Sequence, residues 1–269
     1  FAPIIINLGV NSIDSVDLTL LLADIESPAG NAVSQNGLKI TSSALVTAYY
    51  ELNANGNKEL FSLKGAQSLG DNFYTPFQKS WNTGVTTPAS FSSIEIVATQ
   101  DGTTVLITPK TDIVGHPANT SFSVSLNEGE TYSARNLNLD PNFSLSGSIV
   151  SSNLPVAVTV FSGALSNSGC TSTMGDQITP TDYIGSDYII YKGSSNSEKV
   201  IILSTQNSTS LSIENSTATS TLINWSETYT YDLTDSITYI HSSKPIYVWH
   251  ASGNGCDLSG TQVPNTFCT

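Results

Sequence analysis

Six residues stand out for covalent, redox or metal chemistry: Cys170, Cys256, Cys268, His116, His241 and His250. Zinc would need further ligands at close spacing, as in Cys-x-x-Cys, and no such motif occurs. Cys256 and Cys268 flank a short loop containing Gly260 and Pro264. That spacing predicts a Cys256–Cys268 disulfide, a bond of oxidising compartments, and leaves Cys170 over. Cys170 and Cys256 each follow a strand ending in Ser-Gly, so a Cys170–Cys256 pair stays open as the alternative. A Ser-His-Asp hydrolase needs a base beside an exposed nucleophile, often in Gly-x-Ser-x-Gly, and that motif is absent. The three histidines are scattered, and 22 acidic residues can be paired on paper in too many ways to identify a glycosidase. The chain is therefore expected not to be an enzyme.

The remaining donors are hard oxygens, which suit calcium better than a transition metal. Asn136, Asn138, Asp140 and Asn142 alternate oxygen donors along one segment and form the candidate calcium site. They lack the Gly and closing Glu of an EF-hand, and an ordinary polar turn is the competing reading. Asp14/Asp17, Asp182/Asp187 and Asp232/Asp235 are weaker pairs of the same kind. Binding faces use exposed aromatics in loops. Trp81 with Asn82, in Lys79–Gly84, and Asp182 with Tyr183, between Pro180 and Gly185, are the candidate binding residues. Trp225 and Trp249 read instead as strand-face core.

An all-β framework must position these groups. Of 269 residues, 41 are Ser and 31 Thr, only 12% are charged, and the formal net charge is −13. Nine basic residues, with Arg135 the single Arg, cannot neutralise a run of phosphates, so a nucleic-acid partner is excluded. No apolar run reaches the roughly 18 residues of a membrane helix. Period-two alternation dominates. Ser93–Ala98 and Thr104–Thr108 are joined through Asp101-Gly102 and read as a hairpin, as do Phe122–Leu126 and Thr131–Ala134.

Segments recur in order. Val97–Ile107 aligns with Leu203–Ile213, Ser151–Gly163 with Ser242–Gly253, and Leu69–Tyr74 with Ile184–Ile189; Ser42–Tyr50 looks like a third copy of the long strand. The expected architecture is a set of packed tandem β-sandwich units, about 1–69 (partial), 70–184 and 185–269, forming one rigid module.

Several of these segments resemble a known family. Asn57–Gln78, with its Leu63-Lys-Gly65 turn and Leu69-Gly-Asp-Asn-Phe-Tyr74 strand, is similar to the opening of the IgGFc-binding protein N-terminal domain family. The likeness continues through Ala98–Ile107, Val160–Gly163, Gly175–Pro180, Tyr183–Gly185 and Pro245–Thr269. Phe61-Ser-Leu-Lys-Gly65 and Tyr74-Thr-Pro-Phe-Gln78 resemble the surface-protein members from gliding, type IX-secreting bacteria. The resemblance implies a secreted or cell-surface, adhesin-like, monomeric module that binds a host or neighbouring-cell glycoprotein or glycan through loops. It assigns Fc binding to no particular position. A calcium-assisted lectin is the second reading and a secreted hydrolase the third.

Overall fold

The computed structural model describes residues 2–54, 57–195, 197–215, 219–254 and 256–265. Its strands are, in order, β1 (Val33–Ser34), β2 (Ala48–Ala54), β3 (Asn57–Leu63), β4 (Leu69–Tyr74), β5 (Ser92–Ala98), β6 (Thr103–Thr108), β7 (Phe122–Leu126), β8 (Thr131–Asn136) and β9 (Ile149–Asn167). They continue with β10 (Cys170–Ile178), β11 (Gly185–Tyr191), β12 (Lys199–Ser204), β13 (Thr209–Glu214), β14 (Thr219–Ile223), β15 (Thr228–Asp232), β16 (Ile237–Asn254) and β17 (Asp257–Gln262). The first sheet has the order β1-β8-β5-β9-β6-β7, with β4 and β10 also on β9. The second has the order β14-β13-β16-β12-β15, with β11 and β17 also on β16. Among the described residues β2 and β3 pair only with each other.

Two strands organise everything. β9 has 19 residues and β16 has 18, about three times the usual strand length of roughly 5–6. Each carries a proline in its interior. The first part of β9 pairs with β6 up to Ser152, and the second pairs with β5 from Val156 onward. In β16 the change of partner falls between Ser242, paired with β13, and Ile246, paired with β12. Pro155 and Pro245 sit in those gaps. Proline cannot donate to a ladder, so it is tolerated where the ladder changes hands and the strand turns from one layer into the other. Thr99 Oγ1 donates to Pro155 O at 2.5 Å and Thr205 Oγ1 to Pro245 O at 2.8 Å, pinning both corners.

This arrangement corrects both expected hairpins. β5 and β6 flank successive halves of β9 and do not pair, while β7 pairs with β6 and β8 with β5. Asp101-Gly102 does form a turn, with Gly102 at φ +71°, but the turn crosses between layers.

Strands β11–β17 repeat β4–β10 in connectivity. The likeness extends to detail. β4 bulges between Gly70 and Asn72, β11 between Gly185 and Asp187. Asn127 N donates to Glu130 Oε2 at 2.6 Å and Asn224 N to Glu227 Oε2 at 2.7 Å. Gly102 and Gly129 have positive φ, and so do Ser208 and Ser226 at the matching places. The described residues before β4 have no such set. Only 48–50 of the expected third copy are strand, and they pair with β3.

One hydrophobic core lies within the first sheet, around Ile94, Ile96, Val105, Ile107, Val150 and Val158. It extends to Ile201, Trp249, Ala251 and Leu258 of the second. Val200, Ile202, Ile246 and Val248 point the other way, into a second core. β12 is thus buried on both faces, which is why Val200–Leu203 is an unbroken apolar run. The N-terminal segment is tied on by Asn31 N to Ser133 O and by Arg135 Nη2 to Ser27 O, while Ile5, Val10, Ile13 and Leu20 stay exposed.

Candidate functional site

The cysteines pair differently from the primary expectation. Cys170 opens β10, Cys256 precedes β17, and these two strands pack together; the bridge is Cys170–Cys256, with Cα atoms 5.7 Å apart, inside the usual disulfide range. The Cys256 sulfur is therefore not available to Cys268, which lies outside the described residues. Asp257 is adjacent to both sulfurs, but bridged sulfurs are not thiolate ligands.

Trp81 is 7% exposed and belongs to the first core. It was expected at a binding surface, but Gln78 closes its turn, accepting from Trp81 N and donating to Trp81 O, both at 2.8 Å, so the indole folds inward. Asn82 is exposed and its carbonyl accepts from Ser166 N. Asp182 and Tyr183 are exposed in the link from β10 to β11. They lie near the β4 end that pairs with Val156. Ten residues of β9 separate Val156 from Ser166, on the order of 30 Å, so the two expected binding pairs do not form one site.

In the Asn136 run three side-chain oxygens serve the turn. Asn136, Asn138 and Asp140 Oδ1 accept the backbone N–H two residues on, at 2.7, 3.0 and 2.9 Å. Asn142 Nδ2 also bonds to Asp140. Asn136, Asn138 and Asp140 line a cleft of only about 10 Å³.

Each histidine is engaged. His116 stacks on Phe122 at 3.4 Å. His250 Nε2 meets Glu198 Oε2 at 3.0 Å. Burial opposes the charge on Glu198, but the N–H groups of Gly193 and Ser195 and the His250 ring outweigh it and hold the carboxyl below its ordinary range.

A polar seam sits where β3, β10 and β17 meet. Asp176 is buried and accepts from Lys64 Nζ at 2.6 Å, Ser62 N at 3.1 Å, Thr261 Oγ1 at 2.9 Å and Gln262 N at 3.0 Å. Beside it Glu59 Oε1 accepts from Ser259 Oγ at 2.7 Å and Leu60 N at 3.1 Å, while Oε2 is buried without a hydrogen bond. Burial raises the Glu59 carboxyl to about 8 against these hydrogen bonds. Gly175 makes the seam possible: a Cβ there would meet Phe61 Cε1 at 2.4 Å. The seam is closed and joins three parts of the chain, so it is structural.

The open surface lies on the outer side of β11 and β16. Three cross-strand pairs stand in a row: Asp187–His241, Ile189–Tyr239 and Tyr191–Ile237. Ile189 is 38% exposed, Tyr191 69% and Ile237 50%, whereas Tyr188 and Ile190 alternate inward. At one end Asp187 accepts from Tyr239 OH and Ser186 Oγ and meets His241 Nδ1 at 2.7 Å. These hydrogen bonds push its carboxyl down to about 2. At the other end the row borders a cleft of about 280 Å³ lined by Tyr191, His250, Thr261, Val263 and Pro264. An apolar and aromatic row with a charged rim is the composition of a binding surface. The sequence candidates are loop aromatics, whereas Tyr191 and Ile237 lie in strands. The available signal was Asp-Tyr-Ile-Ile-Tyr191, an alternation with large residues on both faces.

No curated protein and no solved structure matches the chain. Residues 61–267 match the family described as IgGFc binding protein. That span contains both seven-strand sets, the Asp176 side of the seam, the disulfide and the open face, and the chain belongs to this IgGFc-binding family.

Proposed function

We propose that the chain is a non-enzymatic binding module of a secreted or cell-surface protein, and that it holds a protein partner on the Ile189–Tyr191–Ile237 face. The observation that carries this is the exposure of three large apolar side chains in one cross-strand block. The family description names the IgG Fc region as a ligand, which supports a protein partner in general. The disulfide and the Ser/Thr-rich, weakly charged composition support an extracellular setting. The matched strand order, bulges and turn bonds support two copies of one unit packed as a single module. The adhesin-type reading, with a host or neighbouring-cell glycoprotein as partner, belongs to the same proposal.

A glycan is the second reading, because Tyr191 and Tyr239 could stack on sugar faces. The test measures binding of immobilised wild type and a Tyr191→Ser/Ile237→Ser variant to IgG Fc, a glycoprotein panel and a glycan array. A protein ligand lost in the variant supports the proposal. Binding of free glycans alone replaces the protein partner with a sugar. Protein binding unaffected by the variant removes this face from the function.

A further inference from the structure

The chain already contains one interface of the kind this face could form. The turn at 224–228 in the second strand set docks on the first set. Trp225 Nε1 donates to Tyr74 OH at 3.0 Å, and the rings meet edge-on at 6.4 Å. Ser226 Oγ donates to Gly147 O at 3.0 Å, and Ser146 Oγ lies 2.9 Å from Thr228 Oγ1. The preceding turn of the same type, at 127–130, is docked too. Gly37 N donates to Gly129 O at 3.0 Å, Lys39 Nζ meets Glu128 at 2.7 Å, and Gln35 Nε2 meets Glu130 at 2.8 Å. Each such turn therefore sits on a stretch of chain that precedes it.

The strand registers give the matching receptor on the second set. With Pro155 matched to Pro245 and the Gly70 bulge to the Gly185 bulge, Tyr74 corresponds to Ile189, Pro76 to Tyr191 and Gly147 to Ile237. Asp176, covered by Thr261 and Gln262 of β17 in the first set, corresponds to Thr261 itself, which lines the open cleft. The surface that receives Trp225 on one set is thus the exposed apolar row on the other. A Cβ at the Gly147 place would meet Ser226 Oγ at 2.3 Å and its backbone O at 2.8 Å, so over Ile237 an incoming turn must sit further out, on an apolar contact in place of the hydrogen bond.

We propose that the Ile189–Tyr191–Ile237 face receives the aromatic-tipped turn of a further β-sandwich unit of this type, stacking units head to tail. The proposal rests on the reading that this face binds a protein, and it commits that protein to a strand-connecting turn with an aromatic residue at its tip.

The test uses the full chain labelled at isoleucine methyls. The probe is a cyclised peptide carrying residues 221–231, with Trp225 at its tip. Saturable shifts of the Ile189 and Ile237 methyls are expected, with affinity falling at least ~10-fold in Tyr191→Ser/Ile237→Ser and in a Trp225→Ala peptide. Circular dichroism checks that the variant is folded. Absence of methyl shifts at millimolar peptide, or shifts that persist in the folded variant, would overturn the proposal. Concentration-dependent dimerisation of the chain alone that the variant abolishes but Trp225→Ala leaves intact would overturn it as well, since the face would then be covered by a second copy without an aromatic-tipped turn. If a protein ligand binds wild type and not the variant while the peptide stays silent, the stacking idea fails and the binding face stands. If the variant changes neither, both fail.

Discussion

Replacing Glu59 by Gln tests the polar seam directly. The Glu59 carboxyl is raised from the ordinary 4.5 to about 8, chiefly by burial. Between those pH values the folded chain holds a proton that the unfolded chain has released. Stability from this group is therefore complete below about pH 4.5 and is lost as pH climbs to about 8. The shift corresponds to a ceiling of about 5 kcal/mol, and water entering the seam lowers it. We expect wild type to lose at least ~2 kcal/mol relative to Glu59→Gln between pH 5 and pH 9. Urea unfolding followed by tryptophan fluorescence, at fixed ionic strength across that range, measures the difference between the two proteins. Subtracting the variant cancels the pH dependence of every group the two proteins share. Parallel stability curves for the two proteins would show that Glu59 is ionised and solvated in the fold, and the account of the seam would be wrong.

Peptide mapping without reductant should recover Cys170 joined to Cys256; a Cys256–Cys268 fragment would contradict the structure. Reduction should destabilise the chain by up to ~4–5 kcal/mol in the chain-entropy treatment, given the 86-residue separation, and an unchanged denaturation midpoint would refute that. Trp225→Ala should cost about 1–2 kcal/mol, from one edge-on ring contact and one hydrogen bond, and Tyr74→Phe about half that; no change in Tm for either would mean that the turn is not docked in solution. Millimolar calcium should leave Tm within about a degree, because the Oδ1 atoms of Asn136, Asn138 and Asp140 already accept backbone N–H groups. A rise of several degrees that Asp140→Ala abolishes would make that turn a cation site.

Strand positions were legible from alternation. Pairing partners were not. Asp101-Gly102 supplies the chemistry of a tight turn, but whether flanking strands pair or cross depends on β9, which comes some fifty residues later. Pro155 and Pro245 carried that information, as interruptions in otherwise continuous strands. Trp81 was misread because a polar stretch suggests exposure, whereas Gln78 satisfies the turn from within. The disulfide was misread because nearness in sequence was weighed above the equivalence of Cys170 and Cys256 in the repeat. The Glu59–Asp176 seam joins residues more than a hundred positions apart, and no local pattern announces such contacts. The family resemblance found the right relatives through Gly175-Asp-Gln177 and similar segments, without saying that Gly175 is there to admit Phe61.

The Cys170–Cys256 bridge has a mechanical consequence. Tension on a protein runs along its backbone, and a covalent link lets the load bypass the chain it encloses. Here the enclosed chain runs from the start of β10 to the end of β16. At about 3.4 Å per residue, close to 300 Å of contour length cannot be paid out by pulling while the bond is intact. Ile189, Tyr191 and Ile237 all lie inside that closed loop. Tension applied outside the bridge passes them by, so the open face is built into a stretch of chain that pulling does not extend while the bond holds.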